Sequence, residues 1–210
     1  MRQRDLSLAV SNAMKNNHEF AKPHHLARIT LAEFKKAIFG EKDFPLMEER
    51  HRSVQEIGRV VEMKYKDSFL NFIKEYDFDA PRILEAVASN FYKFQDHVIY
   101  EGEQVFFYKR AQILVADLFG AFDQKAGTVK IHNVDKLTCF ADYRIPQILR
   151  HMNILEYSPS LSALVDSKTQ LPYGGSDEVE IRACMVHAVE LIRDHLRSLG
   201  VNWTAVEVDW

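Results

Sequence analysis

The run from Val105 to Phe122 is apolar almost all the way round a helical wheel. Val105, Phe106, Phe107, Ala111, Ile113, Leu114, Val115, Ala116, Leu118 and Phe119 leave no wide polar face. A helix of that kind has no side to give to water and belongs at the centre of a fold. Lys109, Arg110 and Gln112 interrupt it. A buried charge without a partner costs several kcal/mol, so these groups must reach a partner, the surface or a ligand. Lys109 and Gln112 are three residues apart and share a face, while Arg110 and Asp117 are two turns apart and can share another. A helix end reaching solvent, a buried ion pair and a ligand site all meet this constraint.

The rest of the chain also carries mostly helical patterns. Leu6, Leu8, Ala9, Val10 and Met14 predict a first helix within the first sixteen residues. The polar segment Asn17–Arg28, with Pro23 inside it, reads as a loop. Thr30 and Glu33 form a capping-box pair for a helix to about Ile38, ended by Gly40. Val54, Ile57, Val60, Val61 and Tyr65 predict a long amphipathic helix over Leu46–Lys66. Short helices follow at Ser68–Glu75 and Asp79–Ser89, then an irregular aromatic stretch from Phe91 to Tyr100 and a turn at Glu101-Gly102.

Past the apolar run, Gly127–Ile131 reads as a short strand, and short helices are expected over Pro146–His151 and Ser158–Val165. Asp177 opens a long helix, with Glu180 placed to close a capping box. Ile181, Cys184, Met185, Ala188, Leu191 and Ile192 form one stripe along it, and Gly200 stops it. The alternating tail Trp203–Trp210 reads as a strand. With no linker, repeat or low-complexity run, residues 1–210 are expected to form one mainly α domain with minor short strands.

Composition narrows the function. Apolar residues make up 47% and charged residues 27%, enough to bury a core. A formal net charge of −3 argues against a general nucleic-acid binder. Two cysteines, Cys139 and Cys184, are too few for a disulfide framework and lack metal spacing. No apolar stretch reaches the roughly 20 residues of a membrane span, and the N-terminus has no signal-peptide core. These features predict a cytoplasmic protein. The nine histidines show no ligand pattern; His24 and His25 are adjacent, which does not suit a two-ligand helix site. No Walker or dinucleotide glycine motif is present.

A second constellation is Phe140-Ala141-Asp142-Tyr143-Arg144-Ile145-Pro146-Gln147. Pro146 favours the first helical position and pushes Ile145 before it away from helical angles, which puts Asp142 on the entry turn, near free N–H groups and the positive dipole end. A carboxylate held ionised there can stabilise an oxocarbenium ion or attack it. A plain capping aspartate has the same signature. Asp96 follows an aromatic cluster, and Asp209 ends the apparent strand.

At these residues the chain resembles a known family. FFYKRAQILVADLF (Phe106–Phe119), LTCFADYRIPQIL (Leu137–Leu149), LEYSPSL (Leu155–Leu161) and GSDEVEIRACMVHAVELI (Gly175–Ile192) are similar to the queuosine-salvage proteins, in their order and roughly their spacing. Weaker similarity runs upstream through Pro45–Gly58 and downstream through VEVDW (Val206–Trp210). The resemblance implies a fold similar to helical DNA glycosylases. It implies hydrolysis of queuosine 5′-phosphate to queuine and ribose 5-phosphate, with no metal or organic cofactor. It makes the partner a small nucleotide, not a nucleic acid or a membrane, and leaves the oligomeric state open. By the same resemblance Asp142 is the catalytic carboxylate, Lys109 the family's lysine and phosphate anchor, Tyr143 a contact to base or sugar, and Asp209 a ligand for polar groups of the base. Asp96 and Arg110 complete the expected substrate-binding set.

Two departures accompany the resemblance. Typical members are longer at the N-terminus, where an aromatic-rich segment lines the pocket, and they continue past the acidic C-terminal position with a short tail. A catalytically impaired protein that binds queuine or the nucleotide is therefore the alternative to the hydrolase. Rivals from other classes are a glycosylase acting on nucleic acid, which the acidic balance disfavours, and a purely structural helical protein.

Overall fold

A computed structural model describes residues 3–40, 42, 44–123 and 130–210. The chain is mainly α-helical and divides into two compact units, Met1–Asp77 and Phe78–Trp210.

The first unit holds α1 (Gln3–Asn16), α2 (Pro23–Arg28), α3 (Leu31–Phe39), α4 (Met47–Lys64) and α5 (Phe69–Glu75). The Asn17–Arg28 segment is not the loop its polarity suggests. A 3-10 turn at His18–Ala21 is capped by the Asn17 side chain, and Pro23 takes the first position of α2. There its missing N–H costs nothing and its fixed φ suits the helix. Both bonds of the Thr30–Glu33 capping box are formed. Ala13, Phe20, Ile29, Phe34, Ile38 and Phe39 make the core of this unit. Gly58 lets α4 lie against the backbone of α2: a Cβ there would meet the Ala27 nitrogen and stand 2.6 Å from the Pro23 carbonyl oxygen.

The second unit begins with α6 (Ala80–Asn90), capped by Asp79. A 3-10 turn at Tyr92–Phe94 leads into a hairpin, β1 (His97–Tyr100) and β2 (Glu103–Phe106), antiparallel with His97 opposite Phe106 and Tyr100 opposite Glu103. The expected turn at Glu101-Gly102 closes it, with φ of 49° and 86°; two left-handed residues match the twist of paired strands. The aromatic stretch before it is thus partly a strand.

α7 (Lys109–Asp123) starts later than the apolar run does, because Val105 and Phe106 belong to β2 and Tyr108 turns left-handed at φ 48°. Ala111, Val115 and Ala116 on α7 are fully buried, as its wide apolar surface requires. The strand expected at Gly127–Ile131 falls largely outside the described residues.

α8 (Ile145–His151), α9 (Pro159–Asp166) and α10 (Ser176–Ser198) follow. The buried stripe of α10 is Val179, Arg182, Met185, Ala188 and Val189. Cys184 and Leu191, expected on it, are exposed. The Glu180 capping box does not form; Glu180 instead accepts from the Tyr100 hydroxyl at 2.7 Å, which pushes that phenol up to about 12. The tail is a helix, α11 (Ala205–Asp209), not a strand. Thr204 and Glu207 make a second capping box, and Ala205 and Val206 are buried. The local caps outweigh a weak alternation.

Phe107, Cys139, Ala141, Leu149, Val179, Met185, Val189 and Ala205 share one core cluster. Burial pushes the Cys139 thiol up to about 12, so it is an inert core group. No helix among the described residues is long and apolar enough to cross a membrane.

Candidate active site

Within the second unit an open cavity of about 800 Å³ is bounded by the Tyr92–His97 segment, the start of α7, the loop before α8, the Leu171–Tyr173 turn and the first turns of α10. Lys109, Arg110, Asp96, Asp142 and Tyr143 all line it, together with Lys93, Tyr173, Glu178 and Arg182. Residues far apart in sequence therefore converge on one space. Asp209 is not among the lining residues.

The loop carrying Asp142 is built from both ends. Gln112, buried on α7, accepts the Thr138 N–H at 2.9 Å and donates to the Thr138 hydroxyl at 2.8 Å and to the Phe107 carbonyl at 3.0 Å. That pairing answers how a polar residue sits in so apolar a helix. From α11, Asp209 accepts the Phe140 N–H at 2.9 Å. Burial raises the Asp209 carboxyl above its ordinary value, and the Asp142 charge adds to this, against the Phe140 bond and Lys109.

Asp142 Oδ1 accepts the N–H groups of Arg144 and Ile145 at 2.8 and 3.1 Å. Oδ1 thus holds the turn that enters α8 from two residues ahead of that helix's N-cap, Arg144, which has no side-chain cap bond, while Oδ2 takes no hydrogen bond among the described residues. The half-buried Asp142 lines the cavity, so the capping and site readings are compatible: one oxygen holds the turn and the other remains available.

Lys109 is the first residue of α7, and its N–H donates to Asp96 Oδ2 at 3.0 Å. Its ammonium lies 5.9 Å from the centre of the exposed Tyr143 ring, within cation–π range. Arg110 is exposed beside it and donates to the Lys93 carbonyl at 3.4 Å.

Among the described residues the Asp96 carboxylate accepts from the Lys109 backbone N–H, the Arg182 guanidinium at 2.6 Å and the Tyr173 hydroxyl at 3.5 Å. Burial raises the Tyr173 phenol, with the Asp96 charge second. Arg182, which at the start of a long helix reads from sequence as a structural or solvated charge, lines the cavity. Its signal was an arginine on the apolar stripe of α10, three residues from both Val179 and Met185, with Glu178 one turn before it.

One cavity thus presents a carboxylate with one oxygen unbonded among the described residues, a lysine, a second exposed cation and several aromatic rings. The model of the family described as queuosine salvage protein matches residues 3–210.

The chain belongs to this family.

A relative from Dictyostelium discoideum, named queuosine 5′-phosphate N-glycosylase/hydrolase, is 39% identical over 98% of this chain and 63% of its own length. One of the same name from Sphaerobacter thermophilus is 37% identical over 98% of this chain and 63% of its own. A Bos taurus relative, again of that name, is 39% identical over 92% of this chain and 57% of its own. The chain therefore spans about three-fifths of the length of these relatives. The family match covers both compact units, so the first unit and the cavity-bearing second unit are both parts of queuosine-salvage sequence.

Proposed function

We propose that this protein hydrolyses the N-glycosidic bond of queuosine 5′-phosphate and releases the base queuine for return to transfer RNA. The observation that carries the reading is that Asp142, with one carboxylate oxygen free, and Lys109 line the same cavity. The names of the relatives supply the substrate. The 3–210 family match supports reading the chain as one queuosine-salvage domain. The lack of a membrane-crossing helix among the described residues accords with a cytoplasmic home.

In this mechanism the bond from the anomeric carbon to the base nitrogen breaks, and positive charge builds on the sugar. Asp142 stabilises that charge or forms a transient bond to the anomeric carbon. Water supplies the hydroxyl that ends on the sugar, and its proton balances the one taken by the base. Lys109 holds the 5′-phosphate as a compact point charge, with Arg110 beside it. Binding the remote phosphate helps to hold the sugar in reacting geometry. Tyr143 stacks on base or sugar, Asp96 shapes the wall beside Lys109, and Asp209, outside the cavity lining, braces the Asp142 loop through the Phe140 N–H instead of reaching the base.

Incubation of purified protein with queuosine 5′-phosphate tests this. Queuine release is expected, lowered at least about a hundredfold by Asp142→Ala. Lys109→Ala should cut turnover of the phosphorylated substrate far more than that of the free nucleoside. Calorimetric binding of queuine without any turnover by the wild-type chain would overturn the hydrolase reading in favour of a binding protein.

A further inference from the structure

Asp142 and Lys109 stand on different segments, yet one side chain joins the backbone next to each. Arg182, 8% exposed, donates from Nε to the carbonyl of Ala141, the residue before Asp142, at 3.0 Å. It donates from Nη2 to Asp96 Oδ2 at 2.6 Å, and that same oxygen accepts the Lys109 N–H at 3.0 Å. Nη1 reaches Glu178 at 3.3 Å, and the guanidinium lies 4.0 Å from the centre of the Phe107 ring. Three hydrogen bonds and one planar group therefore run from the peptide before Asp142 to the first amide of α7.

A buried ion pair is a poor way to gain stability, because desolvation offsets most of the attraction and apolar residues of equal volume serve as well. It is a good way to fix direction: the guanidinium fork holds its acceptors at set angles, which an ammonium cannot do. Glu178 is held in turn by the Gly174 N–H at 3.2 Å, and the Asp96 backbone carbonyl accepts from both Phe107 and Tyr108. The groups that Arg182 grips are thus themselves braced.

We propose that Arg182 is the positioning residue of this site, setting the separation between the Asp142 carboxylate and the Lys109 ammonium across the cavity. The inference rests on the proposed hydrolase for its kinetic consequence, but not for its structural one. Displacing a reacting group by about 1 Å costs on the order of a hundredfold in rate.

The experiment uses Arg182→Lys, which keeps the charge and loses the fork, and Arg182→Gln as a second variant should the first fail to fold. Amide hydrogen exchange on the ligand-free chain is read first. The expected result is exchange faster by about tenfold or more at Lys109, Arg144 and Ile145, with the central turns of α10 unchanged. Unchanged exchange at those three amides overturns the proposal, and so does a uniform increase along α10, which marks a merely structural role. Kinetics is read second, as the ratio of kcat/KM for queuosine 5′-phosphate to that for the free nucleoside. A positioning role lowers this ratio about tenfold or more, because phosphate grip no longer aligns the sugar; an equal loss on both substrates overturns it. A wild-type chain that turns over neither substrate defeats the hydrolase reading alone, and the exchange result still decides the role of Arg182.

Discussion

Gln112 and Thr138 exchange two hydrogen bonds, at 2.9 and 2.8 Å, that tie the middle of the core helix to the loop ending at Asp142. Gln112 is 5% exposed, so its amide has no water to fall back on. Gln112→Leu preserves volume but leaves the Thr138 N–H and the Phe107 carbonyl without this partner. The expected cost is about 1–3 kcal/mol of unfolding free energy, measured by urea denaturation. A stability equal to wild type would mean that the loop finds other partners at no cost.

Asp142 holds the turn before α8 and is the proposed catalytic carboxylate, and two substitutions separate these roles. Asp142→Ala removes the acceptor for the Arg144 and Ile145 N–H groups, and a lost cap of this kind costs about 1 kcal/mol. Asp142→Asn keeps an acceptor oxygen and should unfold near the wild-type midpoint. Both should lose queuine release, because neither carries the negative charge. An asparagine variant with near-normal turnover would take the charge out of the mechanism.

His24 gives the first unit a pH-dependent contact. Its Nδ1 meets Asp67 at 2.5 Å, its Nε2 meets Glu19 at 3.1 Å, and its N–H donates to Asp67 at 2.7 Å. Only the doubly protonated ring donates to both carboxylates at once. The Asp67 bond, then the Glu19 bond, raise the imidazole above its ordinary 6.5, and the His24 bond lowers Asp67 below its ordinary 3.8. The His24 contribution is thus full below pH 6.5 and is lost as pH rises through the raised value. The Asp67 contribution is present above pH 3.8 and is lost as pH falls through the lowered one. The Tm gap between wild type and His24→Gln should be widest between those two values and narrow in alkali. An equal gap at acid and alkaline pH would contradict this.

Gly58 is required by the closeness of α2 and α4. A methyl group there meets the Ala27 nitrogen and the Pro23 carbonyl, both backbone and so unable to move aside cheaply. Gly58→Ala should destabilise the chain by about 1–3 kcal/mol, although alanine is the better helix former in isolation. Thermal unfolding reads the sign directly: a rise in Tm would show that the helices separate without penalty.

What could be read from the chain alone were features whose cause is local. The Thr30–Glu33 box, the Gly40 stop, the helices after Ser68 and Asp79, and the turn before Pro146 each depend on a few neighbouring residues. Lys109 and Asp142 stand out by signals of the same local kind, a charge in an apolar helix and a carboxylate at a helix entrance, and both line the cavity. Local reading failed where two local signals competed. Pro23 starts a helix instead of breaking one, and the Thr204–Glu207 box overrides an alternating tail.

Tertiary structure alone decided which of the flagged residues meet. Asp96, Lys109 and Asp142 line one space because Arg182, from a helix much later in the chain, bonds to Asp96 and to the carbonyl before Asp142. Asp209 lies under the loop, on the Phe140 N–H, outside the cavity lining. A periodicity shows that an arginine lies on a buried face, but not what it faces. That depends on the packing of distant segments, where a buried charge is tolerated only once its partners have come together.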